Sequence, residues 1–254
     1  MAVAALHGKS IRPLVDEKDL SGFLDSVTVA ASADTAEVTT FGDNDKEYIL
    51  GQKDATFAFE GLFAASTTAA DDIANYLDGS LGGSTKHVIT IDVARSTGGR
   101  ALLLNGDMTA YDIDTPASDR VALSVDVQGS NGYYGGRMLR PLSASTSTGS
   151  NSAVATAGTT SAGGTTGIGG LAHLHVTAVG STFASATFRI QHSTSGSTWA
   201  TAHTFTAATG VTFQRSTISG TIKEQVRATI SSYTATTGAD SITAAIAFSR
   251  RVRT

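Results

Sequence analysis

The chain has 254 residues, 41 % apolar and 16 % charged, which is long enough for one large or two ordinary domains with real cores. Cysteine is absent, which excludes disulfides, thiol nucleophiles and thiolate-bound metals. The net charge of −4 hides a division: residues 1–142 carry 20 acidic and 11 basic side chains (−9), whereas residues 143–254 carry 2 and 7 (+5). Such asymmetry predicts two domains with different surroundings. Gly, Ala, Ser and Thr are plentiful and Pro is scarce at three, which suits small, close-packed β faces or a particle component covered by copies of itself. No run of about 18 apolar residues predicts a transmembrane helix. Met1–Lys9 lacks the basic start and long apolar stretch of a secretion signal.

In chain order, Phe23–Ala31 and Ala55–Phe63 read as strands. Phe23, Val27 and Val29 alternate with Leu24, Ser26 and Thr28, and Phe57, Phe59 and Phe63 share one face around Gly61. The polar stretch between them has no helical period. Hairpins normally close within a few residues, so a long excursion predicts an arm that touches a neighbouring molecule. A helix is expected at Ala69–Asp78, with Thr68 as N-cap, Asp71 and Asp72 in the first turn, and Gly79 as a left-handed stop. Its buried stripe is Ile73, Tyr76 and Leu77. Further strands are expected at Val88–Ala94, Arg100–Tyr111 and Asp119–Gln128. In the last, Val121, Leu123, Val125 and Val127 point one way, and Arg120, Ser124, Asp126 and Gln128 the other.

No Asp, Glu, Lys or Arg occurs from Pro141 to Phe188. The Ser/Thr/Ala/Gly-rich stretch 143–167 within it has the composition of a flexible linker. Short strands follow at Leu171–Val179, Ala184–His192, Val211–Ile218, Ile222–Ser231 and Ser241–Phe248. Turn signals such as Ser195-Gly196, Thr209-Gly210, Ser219-Gly220 and Thr237-Gly238 separate most of them, a spacing that reads as a β-sandwich. Its expected core is Phe188, Ile190, Trp199, Val226, Ile230, Ile246 and Phe248.

Signals of chemistry are weak. Counted from Asp43, acids fall at the first, third, fifth and twelfth places of a calcium loop through Asp45, Glu47 and Asp54. Tyr48 occupies the sixth place, where a sharp turn needs glycine, so a solvated or subunit-contacting arm is the better reading. His173 and His175 share one strand face and lack further ligands at metal spacing, so surface histidines are expected, with Leu174 and Val176 facing the core. Gly163-Gly164…Gly167…Gly169-Gly170 is followed by no lysine and reads as a turn. Asp112 and Asp114 read as a wet strand face with no cleft. Arg250, Arg251 and Arg253 form a small basic cluster at a strand end, suited at most to an anionic neighbour. Neither a Gly-x-Ser-x-Gly elbow nor a His-Glu-x-x-His pair occurs. No cofactor is implied.

Several phrases together resemble a known family. They are Ser21-Gly22-Phe23-Leu24 with Val27 and Val29, Ala33-Asp34-Thr35-Ala36-Glu37, Thr39-Thr40-Phe41-Gly42-Asp43, and Lys53-Asp54 with Phe57, Phe59 and Glu60-Gly61. They are similar to the major tail (tail tube) protein of long-tailed, siphovirus-type bacteriophages. Arg189–Ser193, Trp199 and Phe205 resemble the jelly-roll-like domains appended to many such proteins.

The resemblance implies an all-β chain: a tail-tube β-sandwich or barrel domain with one short α-helix at 1–137, and a C-terminal jelly-roll-like β-sandwich at 138–254. It further implies a homo-oligomer of stacked hexameric rings whose lumen conducts double-stranded DNA during ejection. Tape measure, tail terminator and tail tip proteins are the implied partners, in a virion tail assembled in the host cytoplasm, with no catalysis. The arm Ala33–Gln52 would reach an adjacent ring, with Phe41 and Tyr48 as apolar anchors and Asp43, Asp45 and Glu47 as polar contacts. The outer sandwich could touch host-surface glycans weakly.

The rival from another class is a glycan-binding or adhesion β-sandwich of a virion or cell surface. It requires an exposed aromatic platform, whereas Trp199 is expected inside. A capsid-decorating protein would differ in ring geometry rather than in chemistry.

Overall fold

The structure, a computed structural model, describes residues 8–40, 44–63, 81–83, 86–118, 120–155, 169–236 and 240–251. The expected helix Ala69–Asp78, Phe41, Asp43 and residues 156–167 of the linker-like tract lie outside them. A 3-10 turn at Gly8–Ser10 precedes β1 (Arg12–Val15), β2 (Lys18–Asp19), β3 (Leu24–Glu37), β4 (Tyr48–Leu62), β5 (His87–Asp92), β6 (Arg100–Asp114) and β7 (Ala122–Ser145). There follow β8 (Gly149–Ser150), β9 (Val154–Ala155), β10 (Gly169–Val179), β11 (Phe183–Ser193), β12 (Ala200–Thr204), β13 (Thr212–Ile218), β14 (Gln225–Ala235) and β15 (Ile242–Arg251). The protein is all-β.

The chain forms two units, neither continuous in sequence, because β6 and β7 each give residues to both. The first comprises Met1–Ser21, Val88–Leu103 and Tyr134–Thr254. Within it β13, β10, β15 and β7 lie side by side in one sheet, and β12, β11 and β14 with β8 and β9 form another. Alternation makes them a sandwich. Phe188 and Ile190 of β11 and Val226, Ala228 and Ile230 of β14 face the first sheet. They join Leu174, Val176, Ala244, Ile246 and Phe248 in one fully dry cluster.

The opposite face of the first sheet is dry as well. Leu171, Ala245, Ala247 and Met138 pack there with Leu14 of β1 and with Ala101 and Leu103 of β6. A sheet buried on both faces needs apolar residues at consecutive positions, and β10 supplies them except at its histidines. His173 and His175, expected at the surface, are 0 % exposed. Trp199 departs from expectation in the other direction. Phe188 and Phe205 are in the core, whereas Arg227, between the core residues Val226 and Ala228 on β14, points to the far side of the second sheet and the indole stacks on it. There it is half-buried beneath the Arg227 guanidinium, 4.2 Å from the ring centre, and its Nε1 donates to the Gly196 carbonyl at 3.0 Å.

The second unit comprises Gly22–His87 and Leu104–Tyr133. In it β3, β4, β7 and β6 are successive antiparallel neighbours. One face is dry: Val27 opposes Phe59, Phe59 opposes Val125, Val29 opposes Phe57 and Phe57 opposes Val127. Phe57 meets Phe59 and Tyr133 edge to face, with ring centres 6.4 and 6.3 Å apart. At Gly106 a side chain would approach the Gln128 carbonyl oxygen to 2.3 Å, so β6 lies against β7 only because that position is bare.

Candidate assembly surface

The excursion expected as an arm, with no pairing assigned to it, is a β-hairpin. Ladder hydrogen bonds need no apolar face, so β3 and β4 keep pairing after their side chains turn polar, from Ser32 opposite Asp54 to Glu37 opposite Tyr48. The register slips between Ala33 and Thr35, where β4 holds one residue more, a bulge that re-aims the arm beyond it. Past the last strand pair, Val38 N donates to the Glu47 carbonyl at 2.9 Å and Glu47 N to Thr39 Oγ1 at 3.1 Å. Lys46 reaches the Glu37 carboxylate at 3.0 Å.

Both faces of the arm are wet. Asp45 and Glu47 are exposed near its tip, and Tyr48, Ile49 and Leu50 are 55 %, 56 % and 74 % exposed. Val38 is also largely bare, at 40 %. Sequence reasoning named Tyr48 and passed over Ile49 and Leu50. Their signal was present: three consecutive apolar residues in a polar segment cannot all be buried by a two-stranded ribbon.

The ranks on the wet side of the second unit run Thr28–Ala58–Asp126 and Ser26–Glu60–Ser124 across β3, β4 and β7. Asp54 continues this face opposite Ser32, and its carboxylate accepts from Gln128 Nε2. The two ranks together with Asp54 present three acids and no base. To one side Lys86 pairs with Asp107 at 2.7 Å, and that hydrogen bond holds the carboxyl below the usual carboxylate range. The edges of this sheet matter equally. Among the described residues β3 pairs with β4 alone, and β5, at 6 residues, is shorter than the 15-residue β6 beside it. Sheet edges of this length are templates for another strand.

Phe188 and Ile190 sit in the core of the first unit at 0 % exposure. Among the described residues no group of three or more His, Cys, Asp or Glu is placed to hold a metal. An open hollow lined by Thr206–Thr212 and Gln214–Ser216 contains neither carboxylate nor imidazole. No described helix is long and apolar enough to cross a membrane.

No family model matches the chain, and no curated protein matches it. Among solved structures it is similar to a chain of the virion of a native gene transfer agent particle, with a TM-score of 0.38 and 16 % identity over 51 % of this chain and 97 % of that one. A chain of the PVC sheath–tube complex, an extracellular contractile injection system in its extended state, gives 0.41 and 16 % over 53 % and 93 %. The Dit protein of phage SPP1, from the hub adsorption apparatus of phages infecting Gram-positive hosts, gives 0.37 and 10 % over 95 % and 99 %.

Proposed function

We propose that the chain is a structural, non-enzymatic subunit of a phage tail tube, forming hexameric rings that stack into a conduit for double-stranded DNA. The observation that carries this reading is the second unit: a sheet with a long edge at β3 and an arm whose outer ladder pairs expose Tyr48, Ile49 and Leu50. A head-to-tail contact between unlike edges closes into a ring when the rotation per copy closes, and main-chain hydrogen bonds supply its affinity. The phrase-level resemblance of residues 1–142 to tail tube proteins supports the same assignment. The arm then spans to the next ring, with Phe41 and Tyr48 as anchors and Asp43, Asp45 and Glu47 as polar contacts. Asp54, Glu60 and Asp126 line the lumen, where an acidic wall repels passing phosphates rather than trapping them. Residues 138–254, with the Met1–Ser21 and Val88–Leu103 segments that share their unit, decorate the outside. Tape measure, terminator and tip proteins are the partners, the location is the virion tail, and assembly takes place in the host cytoplasm.

Negative-stain microscopy of the purified protein tests this. Stacked rings or tubes are expected; monodisperse monomers at high concentration would refute it.

One observation favours a second reading, glycan binding by the sandwich. Trp199 lies on the outer face with Arg227, whose Nε donates to Gln191 Oε1 at 2.9 Å. Arg189 shares that face, one residue pair along. Glycan-array binding by the wild type and its loss in Trp199→Ala would support this reading; an empty array removes it.

A further inference from the structure

His173 and His175 stand two residues apart on β10, fully buried, with ring centres 6.1 Å apart. Facing them are Thr90 of β5 and Asp16 in the turn between β1 and β2. His175 Nδ1 lies 2.6 Å from the Asp16 carbonyl oxygen, which can only accept, so the proton of a neutral His175 sits on Nδ1. Its Nε2 is then an acceptor, 2.8 Å from Thr90 Oγ1, and the hydroxyl donates to it. A hydroxyl has one proton. At His173 Nδ1, 3.0 Å away, Thr90 must therefore accept and the ring must donate. With both rings neutral, only this arrangement satisfies all three contacts.

An added proton has no good place. On His173 it puts an N–H at Nε2, which is buried and has no hydrogen-bond partner. On His175 it makes Nε2 a donor to Thr90 Oγ1, so the hydroxyl proton must turn either to His173 Nδ1, which moves that ring's proton to the same Nε2, or away from both rings. Either way a buried donor is left unsatisfied beside a new charge.

We propose that the His173–Thr90–His175 chain is a protonation-operated latch: neutral, it ties β10 to β5 and to the β1–β2 turn, and on charging it releases them. Burial pushes His173 well below the ordinary histidine value of 6.5, with His175 and Arg215 adding to the effect and the Ile89 backbone opposing it. Burial also lowers His175, against the Asp16 backbone and carboxylate. That carboxylate is already engaged, accepting from Val88 N at 2.7 Å. Arg215 opposes His173 across the β10–β13 ladder, while β15 presents only Ala245 and Ala247 to the pair. On β5 the next group on the Thr90 face is the buried Asp92, which opposes Arg12 of β1. A histidine lowered by folding contributes stability that is complete above 6.5 and is lost as the pH falls from there through the lower folded values.

Hydrogen–deuterium exchange on the full chain at about pH 7.5 and about pH 5.5, corrected for intrinsic rates, tests the latch. At the lower pH, protection is expected to fall at least about tenfold in Arg12–Asp19 and His87–Asp92 while β11 and β14 hold. His173→Asn keeps an N–H at the Nδ1 position and cannot charge, so its protection should depend less on acid. Unchanged protection in the wild type, an equal loss in every strand, or a His173→Asn protein that loosens like the wild type would each overturn the proposal. Should that variant not fold, the segment pattern of the wild type decides alone.

Discussion

The strand β10 and the β3–β4 arm both send successive side chains to opposite faces, as any strand does, and meet opposite fates. Packing covers both faces of β10, so even its histidines are dry, whereas neither face of the arm is covered and even Leu50 is wet. Alternation therefore says that two faces differ; it does not say what lies against either. That depends on whether an element sits between layers or extends past them. The energetic consequence is a division: residues of β10 and its neighbours determine whether the chain folds, whereas the bare residues of the arm add little to that fold and, under the proposed function, act on another copy.

Core truncation should give the largest effect. Phe188→Ala removes a fully buried ring from the sandwich cluster and should cost about 3–5 kcal/mol by chemical denaturation. A loss below about 1 kcal/mol would break the contrast at its strongest point, since it would mean the cluster collapses around the void. Thr90→Val should come next. It keeps the shape while removing the donor to His175 and the acceptor for His173, at a cost of about 1–3 kcal/mol. With both rings still lowered by burial, wild-type stability should also decline as the pH drops below 6.5, measured by urea midpoints across the pH range.

The strand set was largely legible because Phe57, Phe59, Leu123, Val125 and Val127 alternate with polar neighbours on a sheet that is dry on one side only. Where the surroundings differ from that half-wet case, legibility ends. In β10 the period-two signal disappears under double burial, and two imidazoles read as surface polar groups because nothing local shows Thr90 and Asp16 arriving from elsewhere in the chain. Trp199 was misplaced for the complementary reason: a large apolar side chain can be sheltered by a stacked guanidinium as well as by a core. The arm was visible as an excursion, yet its pairing was not, since residues such as Ala33, Thr35 and Lys53 carry ladder hydrogen bonds without any side-chain pattern. β1, β2 and β12 were missed because they are too short for a period to show.

A smaller effect belongs to the ion pair on the arm. Lys46 and Glu37 are 67 % and 42 % exposed, so solvent screens their attraction, and a double-mutant cycle should return less than about 0.5 kcal/mol. A coupling several times larger would show the arm to be more sheltered than it stands in one chain, which would itself point to a covering neighbour.

The smallest effect on stability should have the greatest effect on assembly. Tyr48→Ala removes a 55 % exposed ring from the last ladder pair of the arm and should leave the fold within about 0.5 kcal/mol of wild type; adding Phe41→Ala completes the proposed pair of anchors. If the arm spans rings, sedimentation should show monomers or single rings where the wild type stacks, because the anchors bury their area only against another copy. Normal stacking by this variant would remove the arm from the assembly and leave strand-edge pairing as its whole basis. A variant that unfolded instead would show that the rings pack within their own chain. Leu50 at 74 % is ordinary for a solvated loop, but beside Tyr48 and Ile49 on a paired ribbon it adds to an apolar patch that the proposed stacking would cover and that a solvated arm would leave bare.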